Sequence, residues 1–345
     1  MDYVFFAVAL PSIYDIIFPL IEEKKKSGNI VIVATTDQIE QFFREFTNFK
    51  VIRVKVHPDL INRKSKYRLL FDIIKSKLEY RKLFKHYSNA EIYFCGDSYA
   101  LVIFSYLKKL SRNNKVIRCF PKPEKTTVEF PIEHSFRAYI MRWIAKWLMG
   151  VETEIRHKTG IPFWQLNKKF YDNIQIIDNY KGNKKSLEKY MLKLDILKGK
   201  EVLVAIEDSV NAGTVEKEEF ISKMDEMIDI LDELYPKKYV IKPHPRLNRL
   251  YGKMATGKDV IPPYVLSEFL MQNDWKVVIG LDSSTLIKAT EETNSLVISL
   301  IDAIDYIDAN IKNMYRDWLA QQSQKSIMIP SNMKEFKKLL EKSIK

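Results

Sequence analysis

Residues 3–34 read YVFFAVALPSIYDIIFPLIEEKKKSGNIVIVA, and how they fold decides the architecture. An apolar run over 3–9 stops at Pro11-Ser12, and a helical pattern over 12–26 follows. That helix closes on Lys24, Lys25 and Lys26, where the macrodipole favours cations. A second apolar run then starts at Asn29 and ends at Ala34. Strand, helix and strand in this order are the unit of a parallel sheet with crossover helices. The run from Val4 to Ile21 has the apolar character of a signal-peptide core. However, Asp2 stands where a positive flank belongs, and Pro11, Asp15 and Pro19 interrupt it, so neither an export signal nor a membrane span is expected.

The alternation continues outward from this stretch. Further strands are expected at 51–56, 91–95, 116–120 and 126–132, separated by helical patterns at 38–47, 67–87, 99–111 and 135–149. From Val151 to Lys198 the pattern is irregular and rich in Lys and Asn, with NYKGNKKSLEK at 179–189 as its most solvated stretch. A second series follows, with strands at 201–206, 239–241, 276–279 and 295–299 and helices at 217–234, 264–272 and 284–292. Two helices around a short strand at 326–329 close the chain. The expected class is α/β, with two Rossmann-like doubly wound parallel-sheet domains facing a central cleft. The first domain is placed at 1–180, a linker at 181–199 and the second domain at 200–345, the last helices being free to pack back on the first. Open sheets of this kind take ligands outside the carboxyl ends of their strands.

Composition narrows the function classes. The 345 residues are 46% hydrophobic, which excludes a disordered chain. Two cysteines, Cys95 and Cys119, both in apolar runs, exclude a disulfide scaffold and a thiolate zinc cluster and fit a reducing, cytoplasmic setting. Fifty-six Lys and Arg against 44 Asp and Glu leave a formal charge of +12. An anionic partner is therefore expected: nucleic acid, a phospholipid face or a phosphorylated small molecule. The sequence has only 10 glycines and shows neither G-x-G-x-x-G nor G-x-x-x-x-G-K-[ST], which argues against dinucleotide binding and P-loop hydrolysis. H-E-x-x-H, C-x-x-C and G-x-S-x-G are missing as well.

The segment richest in chemistry is YVIKPHPRLN at 239–248, an apolar strand running into Lys242, Pro243, His244, Pro245 and Arg246. A histidine held between two prolines and two cations at a strand exit can meet a phosphate oxygen. It can equally be a rigid strand exit with a surface histidine, and His57-Pro58 provides a second such dipeptide in the same chain. Downstream, WKVVIG at 275–280 leads into Leu281, Asp282, Ser283, Ser284 and Thr285, which open a helix. Hydroxyls and amides there suit an anion, although simple capping by Asp282 or Ser283 accounts for the same residues. Two anion-suited exits 39 residues apart, at His244 and Ser283, describe a cradle for one nucleotide phosphate.

KPHPR together with GLDSST resembles the HP and paired-serine motifs of bacterial GT-B sialyltransferases and polysialyltransferases, and of related capsule and lipooligosaccharide glycosyltransferases. The resemblance implies that His244, Ser283 and Ser284 hold the phosphate of a cytidine monophosphate sugar, with Lys242, Pro245 and Arg246 beside them. FPIEHSFRAY at 130–139 is similar to the family's acidic motif, with Glu133 matching the first acid, implied to be the general base, and His134 and Ser135 replacing the second acid and the glycine. Read from the residues alone, Glu133 or Ser135 can also be just a helix cap. VAIEDSV at 204–210 offers Glu207 and Asp208, with Asp208 as the reserve base. The family's ribose-binding acid follows a proline. Here Pro262 and Pro263 are followed by Val265, and Glu268 lies a helical turn later. Pro11 and Ser12 are candidates for acceptor contacts or for capping.

The activity implied is an inverting, metal-independent transfer of sialic acid from CMP-sialic acid to a hydroxyl of a surface glycan, with no cofactor beyond the donor. Alternatives are a transferase of the same fold with another donor, such as CMP-Kdo, or a basic nucleic-acid-binding protein, against which the scattered lysines speak. Tyr139, Trp143 and Trp147 recur every four residues beside Arg137, Arg142 and Lys146. They read either as an aromatic stripe packed into the core or as a peripheral anchor on the anionic inner face of the cell membrane, where a lipid-linked acceptor would lie. A homodimer is compatible with all of this.

Overall fold

The computed structural model describes residues 1–7, 13–54, 66–85, 87–95, 113–119, 132, 134–149, 153–158, 161–166, 175–177, 194–245, 247, 249–323 and 326–344. The chain divides into two compact units, Met1–Tyr190 and Met191–Lys345. Each is a parallel α/β sheet with helices.

In the first unit, β1 (Asp2–Ala7), β2 (Asn29–Ala34), β3 (Lys50–Arg53), β4 (Glu91–Cys95), β5 (Lys115–Cys119) and β8 (Gln175–Ile177) form one sheet in the order β3-β2-β1-β4-β5-β8. All neighbours pair in parallel. This is the doubly wound order, with its switch point between β1 and β4. Val4 to Ala7 and Ile30 to Ala34 are buried on both faces, which explains continuous apolar strands instead of alternating ones. Between β1 and β2 the chain makes a π-helical turn, Ile13–Ile17, and then α1 (Phe18–Lys24). α2 (Asp37–Phe46) starts at Thr36, whose hydroxyl accepts the Ile39 N–H at 3.3 Å. Phe18 meets Phe42 edge to face at 5.8 Å, locking α1 to α2. α3 (Lys66–Phe84) reaches the sheet through Phe84, stacked on Phe6 at 5.1 Å.

Two elements depart from the expected pattern. α4 (Phe136–Met149) is followed by an antiparallel hairpin, β6 (Thr153–Lys158) and β7 (Ile161–Leu166), and β8 then joins the sheet beside β5. These strands occupy a region read above as irregular. Charged residues such as Glu154, Arg156 and Lys158 break the apolar run, and pairing holds the strands instead. The expected strand at 126–132 and helix at 99–111 lie essentially outside the described residues.

The second unit orders β9 (Val202–Ile206), β10 (Tyr239–Pro243), β11 (Val277–Gly280) and β12 (Leu296–Ser299) as β10-β9-β11-β12, all parallel. α5 (Lys217–Leu234) buries Phe220, Met224, Met227, Ile228 and Leu231, one helical face, against this sheet. The expected helix at 264–272 shortens to α6 (Ser267–Leu270), since the chain turns first at Pro262–Val265. α7 (Ser284–Glu292) follows β11, and α8 (Ala309–Gln322) and α9 (Met333–Ile344) close the chain. The expected strand at 326–329 is a single bridge, Ile298 with Met328. Met333, Phe336 and Leu340 of α9 belong to the core of this second unit.

Phe336 is fully buried in that core. Phe336→Ala is expected to cost about 3–5 kcal/mol in urea unfolding. Lys337→Ala, which removes only the 2.7 Å ion pair to Glu233 on the surface, is expected to cost under about 1 kcal/mol.

Candidate functional site

Three strand exits of the second unit meet at one sheet edge, and two consecutive residues after β9 pin the other two. The Ile206 carbonyl accepts the His244 N–H at 2.7 Å, and Glu207 Oε2 accepts the Leu281 N–H at 3.2 Å. The exit of β10 is thus drawn across β9 from one side and the exit of β11 from the other. This edge contains the topological switch point of the sheet, where chains leaving neighbouring strands diverge and open a crevice.

His244 is half-buried and begins a turn in which its carbonyl accepts the Leu247 N–H at 2.9 Å. Pro243 ends the strand, and Pro245 restricts the backbone of His244 to an extended range. Lys242, two residues earlier, is already engaged. It is 3% exposed, and its ammonium donates to the carbonyls of Pro243 at 2.6 Å and Pro263 at 3.2 Å. Its cation ties the β10 exit to the Pro262–Pro263 turn. Pro245 is half-buried next to His244, while Arg246 lies outside the described residues.

At the β11 exit Ser283 is the N-cap of α7, its hydroxyl accepting the Thr285 N–H at 3.2 Å. Ser284 is exposed as the first helical residue. The first turn of a helix presents amides without intrahelical partners and the positive end of the macrodipole, so this exit suits an anion. No acidic residue stands in that first turn to occupy it.

Glu207 is the residue whose weight the motifs did not show. It is buried, and its Oε1 has no hydrogen-bond partner. Burial first, and then the negative charge of Asp282, push its carboxyl well above the ordinary range, against the opposing pull of the Leu281 amide and the Ser283 hydroxyl. Asp282 in turn accepts from the Tyr306 hydroxyl at 3.5 Å, and burial with that carboxylate raises the phenol. Gly280 makes the arrangement possible: a Cβ there would sit 3.0 Å from Glu207 Oε1 and 3.3 Å from the Ala205 carbonyl. A strand ending in glycine just before the serines was the available signal. Nothing in the sequence linked Tyr306 to them.

The other candidates scatter or fall outside the described residues. Asp208 is half-buried and turned into its own loop, accepting from Asn211 Nδ2 at 2.6 Å. Glu133, Pro11, Ser12 and His57 lie outside the described residues, as does the side chain of Glu268 in α6. Ser135 accepts the Ala138 N–H at 3.1 Å and so caps α4. Cys119 is buried and free, as expected. Among the described residues, no three His, Cys, Asp or Glu side chains group so as to hold a metal ion.

No family model and no curated protein matches the chain. Among solved structures, a Listeria monocytogenes protein assigned as a UDP-N-acetylglucosamine 2-epimerase aligns over 99% of this chain and 87% of its own. Its TM-score is 0.51 at 10% identity, so the likeness concerns the fold. The spinosyn rhamnosyltransferase aligns over 100% and 90% at 14% identity with a TM-score of 0.47. A UDP-glucosyltransferase of Polygonum tinctorium aligns over 98% and 88% at 8% identity with a TM-score of 0.48. The chain has the GT-B architecture: two parallel-sheet α/β domains, as expected from its alternating pattern.

Two predictions follow from the Glu207 contacts. Gly280→Ala should destabilise the protein by about 1–3 kcal/mol in urea unfolding, and by less in a Glu207→Ala background where the clashing oxygen is gone. Because the folded-state pKa of Glu207 is raised, the folded state holds its proton more tightly than the unfolded chain. Its stabilisation is complete below the ordinary carboxylate pKa and is lost as pH rises towards the raised value. Glu207→Gln should therefore gain Tm relative to the wild type as pH is raised from 4 to 8; a difference that stays flat or shrinks would show that the carboxyl is not held neutral.

Proposed function

We propose that the protein is an inverting glycosyltransferase that moves sialic acid from a cytidine monophosphate donor to a hydroxyl of a surface glycan. The observation that carries the reading is the joint anchoring of the His244 and Leu281–Ser284 exits on Ile206 and Glu207, which holds the two motifs at the end of the same strand. The GT-B architecture supports the general class, and the sequence resemblance supplies the cytidine nucleotide and the sugar. In this reading Ser283, Ser284 and the first-turn amides of α7 hold the donor phosphate, and Asp282 and Glu207 keep that turn in place. His244 gives a hydrogen bond or a proton to the phosphate oxygen as it departs.

The step balances without a cofactor. An acceptor hydroxyl oxygen forms a bond to the anomeric carbon while the bond from that carbon to the phosphate oxygen breaks. The electron pair leaves with cytidine monophosphate, and the hydroxyl proton passes to a carboxylate base. Glu133 takes that role in this reading, with Asp208 as the reserve. The ribose contact falls to Glu268, and Pro245 and Arg246 flank the phosphate. Lys242 contributes by holding the β10 exit, its ammonium being already bound to two carbonyls.

Cytidine monophosphate at a hundredfold excess over its Kd should stabilise the folded protein by about 2.7 kcal/mol, read as a rise in Tm. His244→Ala should remove transfer and weaken that shift, whereas His57→Ala should leave both unchanged. A rise in Tm with uridine but not cytidine nucleotides would refute the proposed donor. Glu133→Gln should lose transfer and keep the cytidine shift; retained transfer in Glu133→Gln together with its loss in Asp208→Asn would move the base to Asp208.

A further inference from the structure

The formal charge of the chain is divided unequally. Residues 1–190 hold 34 Lys and Arg against 20 Asp and Glu, a formal +14, whereas residues 191–345 hold 22 against 24, a formal −2. The basic balance therefore belongs wholly to the first unit, and the anion site described above lies in the second.

The same first unit leaves large apolar side chains in water. On α4, Phe136, Tyr139, Trp143 and Trp147 are 79%, 61%, 60% and 74% exposed. At 3.6 residues per turn they fall on one face about 80° wide, and Ala138, 1% exposed, marks the side turned inward. Packing of the aromatic stripe into the core, one of the two readings of the sequence, is therefore not what the structure has. Exposed Arg137 stands on one flank of this face and exposed Lys146 on the other, Arg142 being half-buried towards the Ala138 side, and the helix contains no acidic residue. α3 repeats the pattern, with Phe71, Ile74 and Leu78 at 65%, 50% and 61% exposed. Lys75 and Lys82 share that side, and the helix has six cations against two acids.

We propose that the exposed faces of α4 and α3 dock the first unit on an anionic phospholipid bilayer, with the aromatic rings at headgroup depth. Soluble proteins rarely leave contiguous large apolar surface in water unless it meets something. The chemistry of these faces selects a bilayer. Tryptophan and tyrosine have an apolar body and a polar handle and settle at the boundary between lipid and water. Flanking Arg and Lys then reach the phosphates on either side of the inserted ring row. With 14 residues, about 21 Å long, and cations on both flanks, α4 fits a helix lying in the plane of the interface. Among the described residues no helix is long and apolar enough to cross a membrane. A second copy of the chain fits less well, because it would bring another +14 unit and set cations against cations. This inference is independent of the transfer reaction and needs no donor or acceptor.

The test uses the full chain with extruded vesicles of phosphatidylcholine alone or containing 30% phosphatidylglycerol. The protein is expected to sediment with the anionic vesicles and to be released by 0.5 M NaCl, and brominated lipid should quench its tryptophan fluorescence. Trp143→Ser with Trp147→Ser should weaken sedimentation by about tenfold or more and abolish most of the quenching, with Tm unchanged because both rings are solvent-exposed. Phe71→Ser with Leu78→Ser should weaken it as well. Absence of binding to anionic vesicles, or variants that bind like the wild type, would overturn the proposal. So would a wild-type dimer in solution that the Trp143→Ser/Trp147→Ser variant converts to monomer, since the stripe would then belong to a second copy.

Discussion

Ile206 and Glu207, the last residue of β9 and the one after it, hold the carboxyl edge of the second sheet together. One gives a main-chain carbonyl to His244, the other a side-chain carboxyl to Leu281. A central strand of a parallel sheet has its neighbours fixed along its length, but beyond its end the backbone groups of three chains diverge and lose their partners. Here the divergence is bridged within two residues. The histidine turn and the serine cap are held at fixed positions relative to β9, and therefore to each other, although 39 residues separate them in the chain. Neither motif alone contains the contact that joins it to the other.

The bridge has a cost. A buried carboxyl with one unpartnered oxygen beside a second carboxylate is an unfavourable arrangement that a well-packed apolar residue would avoid. Burial raises its pKa and so favours the neutral form, which lessens the repulsion, and Gly280 makes room for it by having no side chain. The Leu281 amide just before α7 is kept in position by a carboxyl whose neutral form is favoured by burial. An ionised acid in the same place would oppose any anion that the helix N-terminus attracts. Such local disfavour concentrated at one strand end is what sites tend to show and cores do not.

Much of the fold was legible because strands buried on both faces are continuous apolar runs, and helices one face deep, such as α5, repeat with a helical period. β2, β4 and α7 begin and end where the pattern placed them. The β6–β7 hairpin was not legible, since its strands contain Glu154, Arg156 and Lys158 and gain their regularity from pairing. Candidate site residues were legible as types at strand exits, which sequence can mark through Pro, Gly and Ser. What those side chains touch was not. The sequence pattern KPH puts Lys242 two residues before His244, yet its ammonium is taken up by the Pro243 and Pro263 carbonyls. Tyr306 reaches Asp282 only because a bridge between Val215 and Tyr306 sets that loop, a pairing across 91 residues with no local trace.

The net charge illustrates how far composition can mislead about location. A chain at +12 invites the expectation that its cations gather around the anion it binds. The unit with the helix N-terminus and His244 is formally −2, and the nearest buried cation, Lys242, spends its hydrogen bonds on carbonyls. In the proposed reading short-range donors suffice there: oriented amides and a histidine act over one or two contact distances, where screening by salt is weak. A surface that must find an extended, diffusely charged target has the opposite requirement, because many moderate attractions must add over an area and survive at the Debye length. The +14 of the first unit and its exposed aromatic rows are what the proposed bilayer contact would need. On the two proposals above, dipoles serve the compact anion and distributed charge the extended one, a division that matches the difference of 16 in formal charge between the two units.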